Sequence, residues 1–155
     1  MSKKAIAGSL AGCLAIAVAI IAPWEGNEPV GYVDIVGVAT ACLGHTGKGV
    51  IPGRRYTAKQ CEAWFQEDVG KAAIAVDRCV TVPMSDKVWA SFTSLAFNIG
   101  IRAFCGSSLV RKANAGDMAG ACAQISRWDY AGGKRVRGLT RRRADERRLC
   151  ESGLG

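Results

Sequence analysis

The chain is poor in histidine: His45 is the only one in 155 residues, so a single imidazole is available for any chemistry. No two cysteines are spaced as CxxC or as a zinc site, so metal binding does not account for the seven that are present. We expect no metal and no cofactor. There is no internal repeat and no low-complexity linker, and the length fits one modest domain plus a leader. Acidic residues are also scarce, 13 against 21 Lys and Arg, and the formal charge of +8 favours anionic surfaces. Nucleic acid, acidic lipid and bacterial cell wall are the candidates. Seven thiols are many for a reducing cytosol, so disulfides in an oxidising compartment are the better reading. Export in turn counts against a nucleic-acid partner.

No charged residue occurs between Ala5 and Trp24. Lys3 and Lys4 precede this run and by the positive-inside rule hold the N-terminus in the cytoplasm. The run approaches the roughly 20 residues that a spanning helix needs. Its strongly apolar members are Ile6, Leu10, Leu14, Ile16, Val18, Ile20 and Ile21, and most of the rest is alanine or glycine. Seven such residues contribute about −2 to −4 kcal/mol on an insertion scale, less what Ser9, Cys13 and the glycines remove. Three readings compete: a cleavable signal peptide, a permanent anchor and a reversible anchor. Ala22 followed by Pro23, with bulky Ile20 at the −3 position, is a poor cleavage context. A permanent anchor is normally richer in Leu and Ile. The weak composition fits a reversible anchor best. Gly8-x-x-x-Gly12 has the form of a helix-pairing face, a common coincidence in such runs.

Beyond the leader, β-branched residues and glycines from Val30 to Ala39 predict short strands, and the glycines and proline between Gly44 and Gly53 predict turns. Helical patterning begins at Thr57, where Thr57-x-x-Gln60 has capping-box form. Pro83 and Ser85 open another helix, which buries Val88, Trp89, Phe92, Leu95, Ala96 and Ile99. Ser107 and Asp117 are candidate N-caps. A last, basic helix is expected over 141–150. Trp64, Phe65, Trp89, Phe92 and Phe97 fall at helical spacing and read as core rather than as ligand-stacking groups. The fold class is therefore α+β, a small β-lobe and a larger helical lobe preceded by an N-terminal anchor helix. The expected boundaries are 1–24 for the anchor and 25–155 for the domain.

Glu25, Asp34 and Thr40 stand in the order Glu-x8-Asp-x5-Thr. Hydrolysis of a glycosidic bond needs two carboxylates on opposite sides of it. The acid of such a pair is held protonated by an apolar setting, and Glu25 follows Pro23 and Trp24. Its partner stays ionised, a role open to Asp34, with the Thr40 hydroxyl holding a water nearby. Glu28 competes for the same role, and three unrelated polar residues in a solvated loop are the plain alternative.

Further segments follow in order: "DIVGVATACLGHTGKG" from Asp34, "FNIG" from Phe97, "GSSLVRKANAGD" from Gly106, "WDYAGGK" from Trp128 and "GLTRRRADERR" from Gly138. With the Glu-x8-Asp-x5-Thr spacing, this set resembles the phage-type lysozymes, glycoside hydrolase family 24, and most of all the signal-anchor-release endolysins of lambdoid phages. The match covers nearly the whole chain. The resemblance implies a lysozyme-like fold and cleavage of the β-1,4 bond between N-acetylmuramic acid and N-acetylglucosamine in peptidoglycan. It implies Glu25 as general acid, Asp34 as the group that activates or positions water, Thr40 as its helper, and an inverting outcome. It places His45 near the cleft in a structural role, where general base is the sharper alternative. It makes Asn98 a sugar-chain contact and Arg143 the best match for a cleft arginine paired with the catalytic Glu, in a register blurred by three consecutive arginines. It also implies the bridges Cys42–Cys61, Cys79–Cys105 and Cys122–Cys150, leaving Cys13 over.

An inner-membrane protein facing the periplasm, soluble there after release and monomeric, is the expectation that follows. Cys13 is then a candidate for regulatory thiol exchange, with Cys42 the nearest partner in sequence, against the plainer role of a small helix residue. The basic run from Lys134 to Arg148 reads as attraction to an anionic envelope or as a solvated helix face. The rival functions are a non-catalytic wall-binding module and a basic exported protein that acts directly on membranes.

Overall fold

The computed structural model describes residues 8–155. Seven helices and two small sheets are present among them: α1 (Leu10–Ile21), α2 (Ala58–Cys79), α3 (Asp86–Ile99), α4 (Ile101–Cys105), α5 (Ser108–Asn114), α6 (Met118–Gln124) and α7 (Arg137–Ser152). Strands β1 (Glu28–Val33), β2 (Ala39–Cys42) and β3 (His45–Thr46) form an antiparallel sheet in that order, and β4 (Tyr130–Ala131) pairs with β5 (Lys134–Arg135). The arrangement is the expected small β-lobe beside a larger helical lobe.

The helical lobe is built around α3. Ser85 caps it by accepting from the Val88 amide, and every side chain from Val88 to Ala96 is buried. Helices α1, α2 and α7 pack around it. The expected starts are present: Thr57 and Gln60 form a reciprocal capping box on α2, and Ser107 and Asp117 cap α5 and α6. The last helix begins at Arg137, four positions before the sequence pattern predicts, because the β4–β5 hairpin delivers the chain there already turned. Of the aromatic stripe, Phe65, Trp89 and Phe92 are buried as core, whereas Trp64 and Phe97 are only half-buried.

The leader is not set apart from this core. Helix α1 buries Cys13, Ala17 and Ile21 completely, a stripe at four-residue intervals that lies in one cluster with Phe65, Val69, Trp89 and Phe92. The opposite stripe, Ala11, Ala15 and Ala19, is exposed. The helix is thus two-sided by size rather than by polarity: past Leu10 in its first turn, its exposed side chains are all alanine methyl groups. Asp86 meets its first turn, accepting from the Ser9 amide at 2.7 Å, while the Ser9 hydroxyl accepts from Gly12. A Cβ on Gly12 would collide with the Asp86 carboxylate, and one on Gly8 would lie 2.7 Å from the Met84 carbonyl oxygen. The glycine pair therefore allows α1 to approach the loop before α3. From Gly8 onward, the segment 1–24 shares the core of the residues that follow it. Its first seven residues lie outside the described part. Among the described residues, no helix is long and apolar enough to cross a membrane.

All three expected bridges are present. Cys42–Cys61 joins β2 to α2, Cys79–Cys105 joins α2 to α4, and Cys122–Cys150 joins α6 to α7. Cys13 is the free cysteine, with its thiol 3.7 Å from the Thr93 hydroxyl. It belongs to the helical core, whereas Cys42 and Cys61 lie in a separate cluster with Val50 and Tyr56. In this arrangement Cys42 is not a neighbour that Cys13 can attack. A thiol reagent such as DTNB is expected to find no reactive cysteine in the native protein and one after denaturation without reductant. Prompt reaction of native Cys13 would mean that α1 is not docked as described. Ile21→Ala is expected to lower the urea-unfolding free energy by about 2–5 kcal/mol.

Candidate active site

Helix α1 runs into a 3-10 turn, Ala22–Trp24, and the chain leaves it in extended conformation at Glu25. The docking of α1 therefore sets the position of Glu25. Its side chain is 18% exposed and accepts from Arg142 Nη1 at 2.9 Å. Glu25 and Gly44 are shared by two adjoining depressions. The larger, about 440 Å³, is also lined by Thr46, Asp68, Lys71, Phe97 and Asn98. The smaller, about 290 Å³, includes Gly26, Asn27, Glu28 and Tyr32. Gly44 turns from β2 into β3 with φ +79°, and a Cβ there would stand 3.6 Å from Glu25 Oε2. The Glu25 carboxylate thus lies where the β-lobe meets the helical lobe. Its partner is a guanidinium rather than the apolar wall that Pro23 and Trp24 led us to expect.

Asp34 sits in the β1–β2 turn. Its Oδ1 accepts from the amides of Val36 at 2.9 Å and Val38 at 2.8 Å. Thr40 on β2 is 6% exposed and donates to the Val38 carbonyl at 3.0 Å. Asp34 and Thr40 are therefore tied to one residue, Val38, with no bond between them. Asp34 lines neither depression, and its second carboxylate oxygen is left to other partners.

His45 is a structural joint. Its Nδ1 lies 2.7 Å from Asp68 Oδ2, and its ring stacks on Trp64 at 4.3 Å and 12°. Since Asp68 and Trp64 belong to α2, this pair fastens the β-lobe to the helical lobe at the cleft wall. His45 itself lines neither depression, but Asp68 does. Nearby Lys71 pairs with Glu67 at 2.9 Å; the pair raises the lysine and lowers the carboxyl from their ordinary values, at an exposed position.

Asn98 lines the larger cleft and accepts from Arg143 Nη1 at 2.9 Å. Arg143 does not reach Glu25. The arginine expected there is one position earlier, at Arg142, a correction that follows from helix geometry: successive residues on α7 point about 100° apart, and only Arg142 projects toward Glu25. Arg143 is almost wholly buried, and it also donates to the Trp128 carbonyl. Both arginines meet Glu146, which no solvent reaches. Burial pushes the Glu146 carboxyl above its usual range, opposed by Arg143, the Ser94 hydroxyl and Arg142. Burial likewise draws the Arg143 guanidinium down, opposed by Glu146. The run from Lys134 to Arg148 is thus no uniform solvated face. Arg142, Asp68 and Glu146 were missed by sequence reasoning, although Arg142-x-x-x-Glu146 spacing on a helix places the two on one face.

The family model for phage lysozymes matches residues 22–146. The chain is 41% identical to a SAR-endolysin of Enterobacteria phage P21, over 96% of this chain and 94% of that protein. Among solved structures it resembles the active form of P1 phage endolysin Lyz, with TM-score 0.79, 28% identity, and coverage of 90% of this chain and 85% of that one. It also resembles an endolysin from Escherichia coli O157:H7 phage FAHEc1, with TM-score 0.76, 30% identity, and coverage of 87% and 90%.

Removing Asp68 leaves the His45 ring nitrogen without its partner at a site 12% exposed. Asp68→Ala is expected to cost about 1–3 kcal/mol of stability, read by urea unfolding. The emission of Trp64, on which His45 stacks, should change with it.

Proposed function

This chain belongs to the phage lysozyme family and is a muramidase that hydrolyses peptidoglycan for lysis, and from that premise we propose how its residues do so. Glu25 in its protonated form donates to the glycosidic oxygen between N-acetylmuramic acid and N-acetylglucosamine. Asp34 activates or positions a water on the opposite face of the sugar, and Thr40 holds the turn that carries Asp34. An inverting reaction of this type uses carboxyl groups about 6.5–9.5 Å apart, with the water between them. The observation that carries this reading is the place of the Glu25 carboxylate, at the junction of two depressions and held by Arg142. Support for Asp34 comes from its two amide donors, Val36 and Val38, which fix the direction of its carboxylate at the end of the β1–β2 turn. Asn98 contacts the glycan from the cleft wall, and no cofactor takes part.

Control rests on α1. We propose that the N-terminal segment first inserts in the inner membrane, with the domain in the periplasm, and that α1 docks on α3 only after it leaves the bilayer. The two faces of α1 support this. Its apolar content makes insertion worth about −2 to −4 kcal/mol. Burying Ile21 in the folded protein is worth about 1.5–3 kcal/mol by itself. Both locations are favourable for α1, and a change in membrane potential shifts the segment between them. While α1 is in lipid, α3 lacks its partner and Glu25 is held at the bilayer surface. This control requires no thiol exchange, and Cys13 serves it as a small side chain facing Thr93.

Turbidity loss of permeabilised cells tests the chemistry. Glu25→Gln and Asp34→Asn are each expected to lower the rate by about 10²–10⁴-fold. A wall-binding module or a membrane-acting protein would be indifferent to both changes. Leucine at Gly8, Ser9 and Gly12 tests the control: it deepens insertion and also obstructs docking against Met84 and Asp86. The variant should stay in the membrane fraction without lysis, and full lytic activity from it would refute release.

A further inference from the structure

Helix α7 carries a carboxylate with no path to solvent. Glu146 is 0% exposed, and its Oε1 accepts from Ser94 Oγ at 2.7 Å, Arg143 Nη2 at 2.9 Å and Arg142 Nε at 3.4 Å. Its Oε2 lies 2.7 Å from Arg143 Nε. Beyond this meeting point the two guanidiniums diverge. Arg142 reaches Glu25 through Nη1 at 2.9 Å, and Arg143 reaches Asn98 Oδ1 through Nη1 at 2.9 Å. Glu25 and Asn98 both line the larger cleft.

Stability does not account for this arrangement. Desolvating a buried ion triad offsets most of its Coulombic gain, and well-packed apolar replacements are often as stable. The fold holds α7 by other means as well, through the Cys122–Cys150 bridge and through packing on α3. What the charges add is direction. Two adjacent guanidiniums repel each other and, without a shared anion, would turn apart. Glu146 sets the orientation of both, and each passes that orientation to a group facing the cleft.

We propose that Glu146 is a positioning residue for the hydrolysis: it fixes Arg142 on Glu25 and Arg143 on Asn98, so that the acid and the glycan contact address the substrate in one geometry. This rests on the reading of Glu25 as the general acid. Misplacement of a reacting group by about 1 Å costs on the order of 10²-fold in rate, and the loss should fall mainly on kcat through the Arg142 arm. The Arg143 arm should act mainly on KM through Asn98.

The test is steady-state kinetics of the full chain on soluble peptidoglycan fragments, with thermal unfolding measured in parallel. Glu146→Gln keeps an oxygen for Ser94 and removes the charge. It is expected to lower kcat about 10- to 100-fold at temperatures well below unfolding. Arg142→Lys should lower kcat as well. The double variant should lose less than the product of the two single losses, because both act on one contact. Arg143→Lys should raise KM. Wild-type kcat and KM in folded Glu146→Gln overturn the proposal, as do losses that multiply in the double variant. If Glu146→Gln does not fold, Ser94→Ala is measured instead: a lowered kcat with unchanged melting supports the proposal, and wild-type kcat overturns it. Glu25→Gln separates the two readings. Activity in that variant removes Glu25 as the acid, whereas an inactive Glu25→Gln beside a wild-type Glu146→Gln overturns the role of Glu146 alone.

Discussion

The packing of α1 on α3 is the constraint on which the site depends. Glu25 follows α1 after one 3-10 turn, so the carboxylate proposed as the acid is placed by the docking of that helix. The contact is made by Cys13, Ala17 and Ile21, and it closes only because Gly8 and Gly12 carry no side chain. The same helix keeps alanines on its outer face, where water tolerates a methyl group more readily than a leucine. A helix rich in Leu would expose a larger apolar face when docked on the core. Under the proposed release, this weak hydrophobicity makes the segment compatible with both lipid and the folded core.

The second organising element is a cluster of four charges at the junction of the lobes. Arg142 and Arg143 face Glu146 and Glu25, two cations against two carboxylates. Glu146 is enclosed, and Glu25 is open at one edge to the cleft. Such a cluster contributes little net stability, and the bridges and the core of α3 carry that burden. Its contribution is geometric, and it makes α7, a helix far away in sequence, part of the site. On the other wall, the stack of His45 on Trp64 and its bond to Asp68 hold the β-lobe against α2. The cleft is thus fixed from two sides by polar contacts on an apolar frame.

Much of the fold was legible because its signals are local. Capping at Thr57, Ser85, Ser107 and Asp117 depends on residues three positions apart, and each cap is formed as read. The disulfide pairs were legible only through resemblance, since six cysteines permit fifteen pairings. The site was legible in part. The order of Glu25, Asp34 and Thr40 was visible, but the surroundings of Glu25 were misjudged from its neighbours Pro23 and Trp24. Its nearest charged partner is 117 positions away. Likewise the run of three arginines could not be assigned, because a shift of one residue on a helix turns the side chain by about 100°.

By itself, then, the sequence determined the capped helix starts at Thr57, Ser85, Ser107 and Asp117 and the two-lobed division, and its ordered motifs determined the family by resemblance. Caps and lobes follow from local spacing, which a linear chain displays directly. Tertiary structure decided that Arg142 and not Arg143 meets Glu25, that His45 is a joint between lobes, and that the apolar leader is also a core helix. These are contacts between distant segments. Which face a residue presents, and what opposes it there, is settled only when the chain has closed on itself and apolar burial has chosen the packing.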